Sequence, residues 1–173
     1  MKTMKIHKAI CLLAAIAAFG NFFVSTAAVG ATMDCAGTKK SKAAPYREII
    51  RPGDRPDHEM ILAIRTHVIS SKDPDFDGSE QTVYAHQDEY AHSGTQEGYF
   101  LYTLKSGEKI WAKFNSVDST TGTQDSWEVT YQGVFRFIGG TGKYAHIRGG
   151  GNYQGEVRST TGFDETSVCS AEY

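Results

Sequence analysis

The densest chemistry in the chain lies between positions 84 and 92, where Tyr84, His86, Asp88, Tyr90 and His92 recur at every second residue. In a β-strand alternate residues share a face, so these five form one row of phenol, imidazole and carboxyl groups. Turned into a cavity, the row suits binding of a polar head group or acid–base work, histidine being the side chain that titrates nearest neutrality. Turned outwards, it is a solvated face, which is the commoner fate of a polar row. Arg65 and His67 stand two apart in a second alternating stretch. Arg148 projects opposite to Ile147, and its planar guanidinium fits an anionic end such as a carboxylate; the alternative is an exposed arginine. Tyr102 and Tyr131 lie on aromatic-rich faces, where a tyrosine gives a cavity wall apolar area and one hydroxyl, although core packing is its commoner role.

Other chemistries are weaker. Asp73-x-Asp75-x-Asp77-Gly78 matches the first half of a calcium loop, with oxygen ligands at positions 1, 3 and 5 and glycine at 6. Position 12 is Tyr84 rather than a bidentate glutamate, and Pro74 interrupts the pattern, so an acidic turn is the competing reading. No Gly-x-Ser-x-Gly motif and no helical histidine pair at metal spacing occurs, which disfavours a conventional hydrolase. No metal or organic cofactor is expected.

The elements that must position these groups are strands. Over 58–70 one face carries Met60, Leu62, Ile64 and Val68, and the other Glu59, Arg65 and His67 among apolar residues, the pattern of a half-buried strand. Asp73–Gly78 is a turn, and a second strand covers about 80–91. Residues 98–104 and 109–117 form a hairpin. From 126 to 138, Trp127, Val129, Tyr131, Phe135 and Phe137 oppose Glu128, Thr130, Gln132 and Arg136. A glycine-rich strand over 143–157 and a last strand over 166–173 follow. No stretch of ten residues after 31 shows the 3.6-residue period of a helix, so the domain is all-β, a sandwich or a closed barrel. Glycine decides between them. Eight of the sixteen glycines beyond residue 31 fall between 133 and 155, and glycines inside a strand mark the bends and close backbone approaches of a small barrel.

The first 31 residues differ from the rest. Lys2, Lys5 and Lys8 precede a mostly apolar run from Ala9 to Val24, and Val29-Gly30-Ala31 offers small residues at a cleavage site. This reads as a secretory signal peptide, because the run falls short of the roughly 20 residues that span a bilayer. Its removal takes away three lysines and no acids, so the net charge moves from −2 to −5. Neither value suggests nucleic acid as a partner. Removal also takes Cys11 and leaves Cys35 and Cys169, one near each end. In an oxidising compartment an even pair is expected to be bonded. Residues 32–57, with Pro52 and Pro56 close together, read as an extended arm before a domain over 58–173.

The segment Phe137-Ile-Gly-Gly-Thr-Gly-Lys-Tyr-Ala-His-Ile-Arg-Gly-Gly-Gly-Asn-Tyr153 resembles the signature of the allene oxide cyclase and dirigent barrels. Trp127–Gly133 and Gly98–Tyr102 extend the likeness weakly upstream. The resemblance implies a single closed antiparallel barrel of about eight strands, calycin-like in shape, with an apolar cavity and often a trimeric assembly. Plant members cyclise a fatty-acid epoxide or steer radical coupling of phenols, and bacterial relatives include natural-product cyclases. Arg148 matches the dirigent Arg-Gly position, and no catalytic role carries over. The expectation is a secreted or periplasmic barrel that binds a small apolar or amphipathic molecule, with Arg148, Tyr84, His86, Tyr90, Arg65, Tyr102 and Tyr131 as candidate ligand contacts. A cyclase or isomerase acting on a lipid-like or polyketide-like substrate is the alternative, and a ligand-free surface-interaction protein a third.

Overall fold

Every backbone N–H and C=O in the alternating stretches needs a partner, and neighbouring strands supply it. The computed structural model describes residues 31–41, 45–123, 125–158 and 162–173. Within them lie ten strands and one 3₁₀ turn. The strands are β1 (Thr32–Met33), β2 (Gly37–Ser41), β3 (Tyr46–Ile50), β4 (His58–Ser71), β5 (Glu80–Tyr90), β6 (Ser93–Thr103), β7 (Lys109–Thr123), β8 (Ser126–Gly140), β9 (Arg148–Arg158) and β10 (Gly162–Glu172). The 3₁₀ turn, η1, spans Gly142–Tyr144. All pairings are antiparallel. Neighbours run β2-β4-β5-β6-β7-β8-β9-β10, and β10 returns to pair with β2, which closes a ring of hydrogen-bonded strands. β3 adds to one edge of β4, and β1 to the end of β10.

The all-β reading holds. The stretch 32–57 is extended, but it is no lead-in: it supplies β1, β2 and β3, and β2 is the strand that closes the ring. The strand expected over 143–157 begins only at Arg148. Before it, Tyr144 N–H bonds to Thr141 O and Ile147 N–H to Tyr144 O, folding 141–147 into a tight turn. Of the expected signal peptide, residues 1–30 lie outside the described residues. Among those described, no helix is long and apolar enough to cross a membrane.

One face assignment is reversed. On β4 the inward residues are Glu59, Ile61, Ala63, Arg65, His67 and Ile69, whereas Leu62, Ile64 and Val68 are exposed on the outside at 49%, 41% and 38%. Hydrophobicity misled because both faces carry aliphatics. On β8 the expected inward face is correct, with Phe135 and Phe137 buried.

Register stratifies the interior into rows. Val83, Phe100, Ala112 and Phe137 are partners in one row. Ala85, Gly98, Phe114, Phe135, Gly151 and Cys169 form the next. Phe100 and Phe114 stack with centroids 4.3 Å apart, and Phe135 and Tyr153 meet Phe100 edge-on. Phe76 from the Asp73–Gly78 turn and Tyr144 from η1, both buried, plug the end below these rows. Each ring so buried stabilises by roughly 1.5–3 kcal/mol relative to exposure. β9 is clamped tightly between its neighbours: a Cβ at Gly150 would lie 2.1 Å from Phe135 O, and one at Gly151 2.0 Å from Val168 O. Those glycines therefore permit the close approach that curves the wall. Cys35 and Cys169 are joined by a disulfide across 134 positions, as expected from their placement.

Candidate functional site

Above the aromatic rows the wall turns polar. Gln87, Gln96, Ser116, Gly133, Tyr153 and Ser167 are successive register partners, and the next row holds Glu89, Gly94, Asp118, Tyr131, Gly155, Glu165 and Lys39. Small residues among them leave space. A cavity of about 860 Å³ fills this region. It opens between Pro45 and Arg47 on one side, the Ala91–His92 turn, and the ends of β7 and β8 at Gly122 and Trp127. Phe114, Val83, Val129 and Val157 contribute apolar wall, while Arg65, Glu89 and Asp118 contribute charge.

The polar groups are cross-linked in a defined order. Arg65 donates from one terminal nitrogen to Gln96 Oε1 at 3.1 Å and from the other to Gln87 Oε1 at 2.7 Å. Each glutamine turns its amide NH₂ to a carboxyl: Gln87 donates to Glu89 Oε1 at 2.6 Å, and Gln96 to Asp118 Oδ1 at 3.4 Å. The chain Glu89–Gln87–Arg65–Gln96–Asp118 thus joins one guanidinium to two carboxyl groups through amides. Burial holds the Arg65 guanidinium below its ordinary range. Desolvation raises the Glu89 carboxyl, with the nearby Asp118 charge adding to it, and desolvation raises the Asp118 carboxyl too. Desolvation, aided by Lys39 and Arg65, pushes His67 down to about 3, so its imidazole is neutral at physiological pH. Lys39 Nζ bonds Glu165 Oε1, and Tyr131 donates its hydroxyl to Glu165 Oε2 at 2.9 Å. Desolvation also raises the Tyr131 and Tyr153 phenols.

Of the residues singled out from sequence, Arg65 and Tyr131 lie on the cavity wall. Tyr102 is buried beneath it, its hydroxyl accepting from Gln81 Nε2 at 3.0 Å between the rings of Phe76 and Phe100. Tyr84, His86, Asp88 and Tyr90 are on the outer face of β5, because the inward set is Gln81, Val83, Ala85, Gln87 and Glu89. Arg148 is exposed at the start of β9, off the cavity wall. Of the two readings of the 84–90 row, the structure thus has the outward, solvated one, and Arg148 takes its exposed alternative and does not line this cavity. His92 is at the mouth.

Two of the outer residues have a structural task. His58 places Nδ1 against Asp54 and Nε2 3.0 Å from Asp88 Oδ1, and its ring stacks on Tyr90 at 4.2 Å. The Asp54 hydrogen bond, seconded by Asp88, raises the His58 imidazole above its ordinary value, and His58 in turn lowers Asp54. The calcium reading also meets other partners. Asp73 Oδ1 accepts from Asp75 N–H at 2.9 Å, Asp77 Oδ1 accepts from Ser71 N–H at 3.1 Å, and Asp75 Oδ2 bonds Lys143 and, at 3.1 Å, the Tyr144 hydroxyl. The three carboxyls are spent in different directions on shaping the turn. Among the described residues no group of three His, Cys, Asp or Glu is placed to hold a metal.

Sequence reasoning missed Gln87, Glu89, Gln96, Asp118 and Glu165. The signal was present on β7, where Ile110, Ala112 and Phe114 share a face with Ser116 and Asp118. No protein-family model matches the chain, and no curated protein is significantly similar to it.

Proposed function

We propose that the chain is a secreted or periplasmic β-barrel of the allene-oxide-cyclase-like kind that binds one small amphipathic molecule in its interior. The observation that carries this reading is the cavity of about 860 Å³, aromatic below and polar above. Ligand sites typically occupy about 300–1,000 Å³ and pair apolar walls with a few placed polar groups. The closed hydrogen-bonded ring and the glycine-rich 137–153 segment support the barrel. The leader sequence and the disulfide support export. Exposed aliphatics on the outer face, Val134 and Val168 among them, support a homo-oligomer, a trimer by the resemblance. A cyclase or isomerase is the second reading, favoured by two desolvated carboxyl groups on the cavity wall, which suit proton transfer.

Fluorescence of the neutral dye Nile red with the mature protein tests the cavity, and native mass spectrometry reports retained ligand and subunit count together. Saturable dye binding, lost when Gly133 is replaced by Leu to fill the interior, is expected. No dye binding and no retained mass would refute the reading.

A further inference from the structure

The cavity wall is balanced in charge. Arg47 and Arg65 face Glu89 and Asp118, and the Glu165 carboxylate is matched by Lys39. Another anion would stand against the two carboxyl groups, and another cation against the two guanidinium groups. The hydrogen-bonding inventory is mixed as well. Carboxylates only accept, guanidinium only donates, and each carboxyl keeps acceptor capacity beyond its one glutamine bond. A hydroxyl both donates to the first and accepts from the second without adding charge, and several on one ring can reach the separate carboxyl and guanidinium groups at once.

The placement is also stiff. Both glutamine amides are fixed at each end, oxygen to Arg65 and nitrogen to a carboxyl, so the donors and acceptors are set before a ligand arrives. Trp127, Tyr131 and Tyr153 on the same wall offer flat area for the C–H face of a ring.

We propose that the cavity selects a neutral, polyhydroxylated head group, a sugar or polyol carried on an apolar or aromatic tail. This rests on the ligand-binding reading above. The hydroxyls bridge Glu89, Asp118 and the Arg65–glutamine chain, and the tail lies toward Phe114.

Displacement of Nile red at pH 7 by four phenyl compounds tests it: phenyl β-D-glucoside, 3-phenylpropan-1-ol, 3-phenylpropanoate and 3-phenylpropylammonium. The glucoside is expected to bind at least tenfold tighter than the alcohol, and both ions more weakly than the alcohol. Glu89→Gln and Asp118→Asn, nearly isosteric, should each weaken the glucoside about tenfold while leaving Nile red affinity within twofold, which also shows that the variants fold. An ion that outcompetes the glucoside, or an alcohol that equals it, overturns the proposal while the cavity reading stands. A protein that binds no Nile red overturns both.

Discussion

Lys39→Met should cost the domain about 3–5 kcal/mol, the range for removing one partner of a buried ion pair. Lys39 and Glu165 are 2% and 7% exposed and bond directly, at the middle of the five-residue strand that closes the ring. Nζ also lies 5.1 Å from the centroid of Phe100 and 5.6 Å from that of Tyr153. Without the ammonium, the Glu165 carboxylate keeps only the Tyr131 hydroxyl among its bonds described above. A domain of this size loses roughly 3–4 °C of melting temperature per kcal/mol, so the midpoint should fall by about 10–20 °C. Such a loss is a large part of a typical 5–15 kcal/mol total. Glu165→Gln alone should cost a similar amount, because it strands the lysine. The double variant should recover at least half of the summed loss, since a neutral amide still accepts from Tyr131 and methionine fills the lysine stem. Urea unfolding followed by circular dichroism, run as a double-mutant cycle, measures the coupling. A Lys39→Met cost below about 1 kcal/mol, or single costs that simply add, would refute the reasoning.

Three further outcomes follow from the structure. His58 has a raised folded-state pKa, so its stabilisation is fully present below about pH 6.5 and disappears as pH rises through the folded value; that of Asp54, lowered in the fold, disappears as pH falls below about 3.8. Melting temperature measured from pH 5 to 9 should therefore decline on the alkaline side, and His58→Asn should flatten that decline; an unchanged slope counts against a stabilising role for the His58 contacts with Asp54 and Asp88. Reduction of Cys35–Cys169 opens a constraint spanning 134 positions, worth about 5 kcal/mol in the chain-entropy model, and a shift in the urea midpoint with dithiothreitol reads it. A midpoint that does not move would show that the unfolded chain gains nothing from release. Gly133→Ala places a Cβ 2.5 Å from the Asn115 carbonyl oxygen, 2.6 Å from Tyr153 Cζ and 2.7 Å from Ser116 Cβ, so a loss of about 1–3 kcal/mol is expected by thermal melting, and equal stability would mean that the β7 backbone and Tyr153 both yield freely.

How much of this was legible in the sequence depended on contrast between faces. On β8, rings oppose Glu128, Thr130 and Gln132, and the inward face could be read directly. On β5 both faces are polar: Gln81, Gln87 and Glu89 point inward and His86 and Asp88 outward. A wet interior removes the hydrophobic contrast on which a period-two argument depends, so the period survives and the direction is lost. β4 fails for the opposite reason, since Leu62 and Ile64 decorate its outside while Arg65 and His67 lie within. The disulfide was readable because only Cys35 and Cys169 lie beyond the expected leader, one near each end of the strand-rich stretch. The Arg65–glutamine–carboxyl chain was not, because its members come from β4, β5, β6 and β7 and meet only through register. Phe76 was hidden in an acidic turn, where composition points to solvent.

Closure of the ring by β2 bears on how the chain is made. Lys39 pairs with Glu165 on one side and Ile69 on the other, so β2 finds one neighbour close in sequence and the other 126 positions away. Synthesis runs from the N-terminus at about 5–20 residues per second. Until β10 emerges, the curved sheet has two raw edges and its aromatic interior stands open. Contacts of such long sequence separation are slow to form. The ring is thus closed only once β10 is available, and a nascent chain keeps its interior open until then.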